Sequence, residues 1–254
     1  MIRFENVTKV LGGNAVLDNI SFEVGEGETF VIVGLSGAGK SVTLKHMIRL
    51  MQADAGNIVI EGEIINDLGR KALRELRAKF GVLFQGAALL QWMTVHENIA
   101  LPLRELTHTP EDEILRLVDE KLELLGLADA GAKYPSDISG GMQKRAGLAR
   151  AIIMSPKIIL YDEPTSGLDP VTSRRIDDLI VNMRKKLGIT SVVVTHDLHS
   201  ALSIGSRIMM LHHGKIVENA TPEGFIRSKD ATVQSFLESQ YITRKGKWEE
   251  FSHE

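Results

Sequence analysis

The chain contains no cysteine in its 254 residues, so it forms no disulfide and no thiolate metal site, a composition compatible with a reducing cytosol. It also lacks any apolar run near the roughly 20 residues that cross a bilayer. Met1-Ile2-Arg3-Phe4 enters a strand pattern at once, without a signal-peptide apolar region, and the chain is expected to be soluble by itself. A large excess of one charge sign is missing too. A formal charge of −3 gives no basic footprint for nucleic acid, so no nucleic-acid partner is expected, and Lys144-Arg145 and Arg184-Lys185-Lys186 are read as solvated helix faces. Internal repeats and low-complexity tracts are absent.

Hydrophobic residues make up 43% of the chain, and strand-like and helix-like segments alternate. This suits one α/β domain over 1–254, with a helical insertion at about 86–155 and a C-terminal tail at about 228–254. Strands are expected at Ile2 to Val7, Ala15 to Val24, Phe30 to Val33, Ile58 to Ile60, Ser191 to Thr195 and Arg207 to Leu211. A helix should open at Thr109-Pro110, with threonine as cap and proline first, bury a face of Ile114, Leu115, Leu117, Val118, Leu122 and Leu125, and stop at Gly126.

Three segments carry chemistry. Gly34-Leu35-Ser36-Gly37-Ala38-Gly39-Lys40-Ser41, with Val42 beginning the next apolar stretch, lies between a buried-strand run and a helical one. Such glycines let successive backbone N–H groups face a phosphate, while the helix adds its positive end. Lys40 would reach the terminal phosphates and the Ser41 hydroxyl would hold Mg²⁺. Ile158 to Asp162 is a second buried run, ending in Asp162-Glu163-Pro164. Strand alternation would turn Asp162 to the metal and Glu163 to an attacking water. In the third segment, Ser139-Gly140-Gly141 starts another helix able to hold phosphate. His196 follows an apolar strand. His212-His213 reads as a hairpin turn, and His46, His96, His108, His199 and His253 read as ordinary surface or helix residues.

These segments, with Gln85, Ser166-Gly167-Leu168-Asp169 and His196 in order, resemble the nucleotide-binding subunit of ABC transporters over nearly the whole chain. The resemblance implies a P-loop ABC ATPase fold with a RecA-like core, a β-rich N-terminal subdomain and a helical subdomain bearing the signature motif. It implies ATP and Mg²⁺, Gln85 joining Ser41 and Asp162 around the metal, Glu163 as base and His196 as γ-phosphate sensor. It also implies a homodimer in which each ATP lies between one copy's phosphate loop and the other's signature helix. Two positions depart from the family pattern. Leu11 stands where an adenine-stacking aromatic is usual, which predicts weaker base discrimination, and Met142 replaces a glutamine.

Within the family, Phe84 to Leu90, Val95 to Leu103 and Ser139 to Met142 are similar to ATPases of MCE-associated lipid transport. That likeness implies a permease dimer, a periplasmic MCE-domain protein, a small cytosolic STAS-domain protein, phospholipid cargo and a place on the cytoplasmic face of the inner membrane. The segment from Gln85 to Asn98 is apolar yet loop-like. There Leu89, Leu90, Trp92 and Met93 either receive the permease or close the insertion's own core. Val233, Phe236 and Leu237, then Tyr241, Trp248 and Phe251, either dock on a partner or form a frayed end. An ATP-gated regulatory dimer and a soluble ABC protein acting on DNA or ribosomes are the rival classes.

Overall fold

The computed structural model describes residues 1–242. In chain order its elements are β1 (Ile2–Leu11), β2 (Asn14–Val24), β3 (Thr29–Val33), α1 (Lys40–Met47), β4 (Ala55–Ile60), β5 (Glu63–Ile64), α2 (Arg70–Ala78), β6 (Phe80–Leu83), α3 (Val95–Leu106) and α4 (Glu111–Leu124). There follow α5 (Gly140–Ile152), β7 (Ile158–Asp162), α6 (Pro170–Leu187), β8 (Thr190–Val194), α7 (Leu198–Ile204), β9 (Arg207–His212), β10 (Lys215–Ala220), α8 (Pro222–Ile226) and α9 (Ala231–Ser239). Backbone contacts divide them into two units, 1–68 with 194 onward, and 69–193.

The first unit holds an antiparallel sheet in the order β2-β1-β4-β5 and a ladder β10-β9-β3. Alternation along β1 and β2 buries Phe4 and Phe22, whose rings stack at 4.5 Å, and Phe22 stacks in turn on Phe30 at 5.4 Å. Arg207 covers Phe30 at 5.0 Å and is held there by both carboxylate oxygens of Glu28, at 2.8 and 2.9 Å. In β3 every residue is buried, as expected of a strand covered on both faces, and it pairs parallel with β9. His213 and Gly214 link β9 to β10 with φ of +46° and +74°, the left-handed pair that a two-residue hairpin turn requires.

Val233, Phe236 and Leu237 are buried, and α9 packs on α8 and β10. These side chains therefore pack into the unit's own core. Tyr241 is exposed, while Trp248 and Phe251 lie outside the described residues.

The second unit carries the ladder β8-β7-β6 and the helices α2 to α6. Its α4 begins one residue later than the sequence suggests. Pro110 occupies the cap position, where its hydrocarbon ring makes no capping bond, and the Thr109 hydroxyl oxygen accepts from that of Thr107 at 2.8 Å. Ile114, Val118, Leu122 and Leu125 are buried, Leu115 faces out, and Gly126 ends the helix at φ +63°. The expected loop from Gln85 to Asn98 is helical from Val95. A capping box, Thr94 with Glu97, starts α3 there.

Candidate functional site

In the first unit the phosphate-loop sequence joins β3 to α1. Gly34 and Gly39 are required by close approach as well as by φ. A Cβ on Gly34 would lie 2.3 Å from the Leu211 carbonyl oxygen, and one on Gly39 would lie 2.6 Å from that of Val16. The loop is thus wedged between β2 and β9, while Leu35, Ser36 and Gly37 remain exposed. Ala38 is buried, and its N–H donates to the Leu35 carbonyl at 3.2 Å.

Lys40 is 8% exposed, and its ammonium donates to the carbonyls of Gly34 at 2.7 Å and Leu35 at 3.2 Å. The ammonium thereby spans the mouth of its own loop. Ser41 and Val42 lie in the first turn of α1, which has no acidic residue and no capping side chain. A helix start left open in this way suits an anion, so the residues present fit a phosphate.

His196 also belongs to the first unit and is exposed. Gln240, at the end of α9, straddles its loop: Nε2 donates to the His196 carbonyl at 2.6 Å, and Oε1 accepts from the Leu198 N–H at 2.8 Å. No sequence signal marks Gln240, because the bond spans 44 residues. His46, expected at a surface or on a helix, lies in α1 but is fully buried. Burial lowers its pKa below the usual 6.5, against the pull of its bond to the Val42 carbonyl. At the far end of β1, Leu11 is 40% exposed and pairs with Asn14.

In the second unit, Asp162 ends β7 half-buried and Glu163 is the first residue beyond it. Strand alternation therefore does not aim Glu163. It has φ +50°, in the left-handed region, at a cost of about 1–2 kcal/mol for a non-glycine residue. Its carbonyl accepts from Ser166 N–H at 3.2 Å, closing a turn through Pro164, and from Lys144 Nζ at 3.2 Å.

Gln85 is exposed, and Nε2 reaches Ser166 Oγ at 3.5 Å. The four consecutive residues Ser166 to Asp169 lead into α6, which Asp169 caps by accepting from Val171 and Thr172 N–H, both at 3.0 Å. Thr172, followed by these N–H bonds, holds the Asp169 carboxyl below the usual range.

Ser139 caps α5, accepting from Met142 N–H at 3.3 Å, and no acid lies in that helix's first turn. Gly140 is open. Gly141 is closed by packing, since a Cβ there would lie 2.4 Å from Thr172 Cγ2 on α6.

Lys144 and Arg145 are not a solvated face. Lys144 is 5% exposed and donates to the carbonyls of Gln85 and Glu163. Arg145 donates to the carbonyls of Leu125 and Gly126, both at 2.8 Å. Arg150, further along α5, donates to those of Ala87 and Ala88, both at 2.7 Å. Burial lowers the pKa of all three cations.

The apolar segment after Gln85 is consequently well braced. Ala87 and Ala88 take φ of +58° and +49°, and the fully buried Asn98 donates to the carbonyls of Leu90, Met93 and Thr94 at 3.0, 3.1 and 2.9 Å. Leu89 turns inward, whereas Trp92 is 73% exposed. No group of three or more metal-ligating His, Asp or Glu side chains occurs among the described residues. Of the residues expected at a cation, Ser41 carries a hydroxyl in the first unit, and Gln85 an amide and Asp162 a carboxylate in the second. Each of these side chains offers oxygen, the donor type that Mg²⁺ takes. No helix among the described residues is long and apolar enough to cross a membrane.

A family model described as ABC transporter matches residues 17–166. The chain is 40% identical over 249 residues to the probable ribonucleotide transport ATP-binding protein mkl of Mycobacterium leprae, covering 98% of this chain and 72% of that relative. It is 38% identical over 257 residues to the methionine import ATP-binding protein MetN of Geobacillus kaustophilus, covering 100% and 75%. It is also 38% identical over 240 residues to the intermembrane phospholipid transport system ATP-binding protein MlaF of Haemophilus influenzae, covering 94% and 91%. Among solved structures, a dimeric ATP-binding cassette in a post-hydrolysis state with ADP and Pi matches with a TM-score of 0.81 and 33% identity, over 87% of this chain and 99% of that one.

Proposed function

Because the chain belongs to the ABC transporter ATP-binding family, we propose that it energises phospholipid transport between inner and outer membranes. The observation that carries the cargo is the phospholipid-transport relative, matched over more than nine-tenths of both chains. In this reading the protein works at the cytoplasmic face of the inner membrane as a pair of copies on a permease dimer, with an MCE-domain protein and a small STAS-domain protein as further partners. The exposed Trp92, on a braced segment beside Gln85, is the side chain offered to the permease.

Hydrolysis of ATP needs phosphates held still, charge neutralised and a water oriented. Mg²⁺, when bound, supplies much of that neutralisation. Backbone N–H groups from Leu35 to Val42 and the ammonium of Lys40 grip the phosphates in one copy, and Ser139, Gly140 and Gly141 of the second copy close over them. Ser41, Gln85 and Asp162 would hold the cation. Glu163 accepts the proton of the attacking water, and His196 senses the γ-phosphate. Coupling follows from differential contacts: ATP favours the closed pair only through bonds made better when closed. A swing from 1:99 to 99:1 takes about 5.5 kcal/mol of such preference.

The test is reconstitution with the co-purifying membrane proteins, using donor and acceptor vesicles that carry distinguishable lipids. ATP-dependent lipid transfer, lost without Mg²⁺, is the expected result. Hydrolysis without lipid transfer, together with uptake of a nucleotide or amino acid, would assign the cargo to the other classes named among the relatives.

A further inference from the structure

Lysine is among the residues least often buried, because removing an ammonium from water is costly unless its donors are used. Lys144 is nonetheless 5% exposed in the middle of α5. Its ammonium spends donors on two main-chain carbonyls that are 78 positions apart in sequence (163 − 85), those of Gln85 and Glu163. It also faces the negative charges of Glu163 and Asp162, which oppose the effect of burial on it.

The two carbonyls belong to residues whose backbones need holding. Glu163 sits in a left-handed conformation just past its strand, and Gln85 precedes Ala87 and Ala88, which are left-handed as well. Neither Glu163 nor Gln85 is fixed by a regular element, since β7 ends at Asp162 and β6 at Leu83. Both of these bonds are made to main-chain oxygens.

We propose that Lys144 is a positioning residue for ATP hydrolysis, joining the main chains of Gln85 and Glu163 so that amide and carboxylate are presented in one fixed relation. The proposal rests on the reading of Glu163 as base. Arg150 provides an internal contrast: it holds the same loop through Ala87 and Ala88 and makes no bond to Glu163.

The experiment compares Lys144→Met, Lys144→Gln and Arg150→Met in the full chain with its membrane partners, measuring kcat, KM, nucleotide affinity and thermal midpoint. Methionine matches the buried stem and removes the donors, so folding and nucleotide affinity are expected to persist. The turnover number should fall by about 10- to 100-fold, with KM within about 3-fold, since a misplacement near 1 Å is enough for a loss of that size. Glutamine keeps an N–H donor and should recover part of kcat, and Arg150→Met should lose less than Lys144→Met. A Lys144→Met protein with kcat within about 2-fold of the parent overturns the proposal, as does a loss fully explained by a smaller folded fraction. If Lys144→Met does not fold, the Gln variant decides on the same kcat criterion. A parent protein that hydrolyses no ATP, or a Glu163→Gln variant as active as the parent, instead removes the reading beneath.

Discussion

The phosphate loop between β3 and α1 and the carboxylate edge after β7 are held by different physics. Sterics hold the first: Gly34 and Gly39 sit where any side chain would strike the Leu211 or Val16 carbonyl, so the wall of neighbouring strands sets the path of the loop. Buried charge holds the second. Lys144 reaches from α5 to the carbonyls of Glu163 and Gln85, and Arg150 reaches from the same helix to those of Ala87 and Ala88. A steric frame needs only glycine at the right spacing, which a sequence displays openly. An electrostatic frame depends on which distant cation the fold delivers, and one lysine in a helix looks much like another. The first frame tolerates almost no substitution, while the second should keep its fold and lose its precision.

The sharpest way to separate the two regions is chemical. Glu163→Gln keeps the left-handed backbone and its carbonyl bonds while removing the proposed proton acceptor. Turnover should drop about 10²- to 10⁴-fold, with nucleotide affinity little changed, in a steady-state ATPase assay paired with equilibrium binding. Equal losses of affinity and turnover would mean that the carboxylate edge grips nucleotide as the loop does, and the contrast would fail.

A smaller effect should appear within the loop itself. Gly39→Ala forces a side chain at φ +103° against the Val16 carbonyl, whereas Gly37→Ala, at φ +81°, meets nothing within 4 Å. Urea unfolding should show Gly39→Ala destabilised by about 2–4 kcal/mol and Gly37→Ala by about 1–2 kcal/mol. Similar costs would show that φ alone, and not the surrounding wall, shapes the loop.

The smallest expected effect concerns His46, buried in the helix that leaves the loop. Its folded pKa lies below 6.5, so the unfolded chain takes the proton first. This contribution is fully present above pH 6.5 and is lost as pH falls from there towards the lowered folded value, at no more than about 1.4 kcal/mol per pH unit. The parent should therefore lose more stability than His46→Gln between pH 7.5 and pH 5.5 in parallel urea titrations. Identical slopes would show that no proton-linked term resides at this position.

Much of the fold was legible beforehand, and where it was not, the reason is specific. The strands around the loop and the run ending at Asp162 stand out because a doubly covered strand needs an unbroken apolar sequence. Thr94 and Glu97 spell out the capping box of α3, yet the apolar residues before it look loop-like in the sequence. Lys144 and Arg145 look solvated in the sequence because cations generally face water, and only the path of the Gln85, Glu163 and Leu125 carbonyls shows otherwise. Val233, Phe236 and Leu237 showed their helix face correctly but not its partners, which are α8 and β10. Gln240 gave no signal at all, since a side-chain bond to the His196 carbonyl has no local pattern.

The amino-acid order alone determined the phosphate loop, the carboxylate pair, the second glycine-rich helix start and the family, because each depends on residue types at short fixed spacing. Tertiary structure decided that Glu163 is set by a left-handed turn and not by strand alternation, that Lys144 is buried against two carbonyls, and that Trp92 is exposed while Leu89 is not. Short-range patterns follow from backbone geometry, which is local. The burial of a charge depends on where distant segments come to rest.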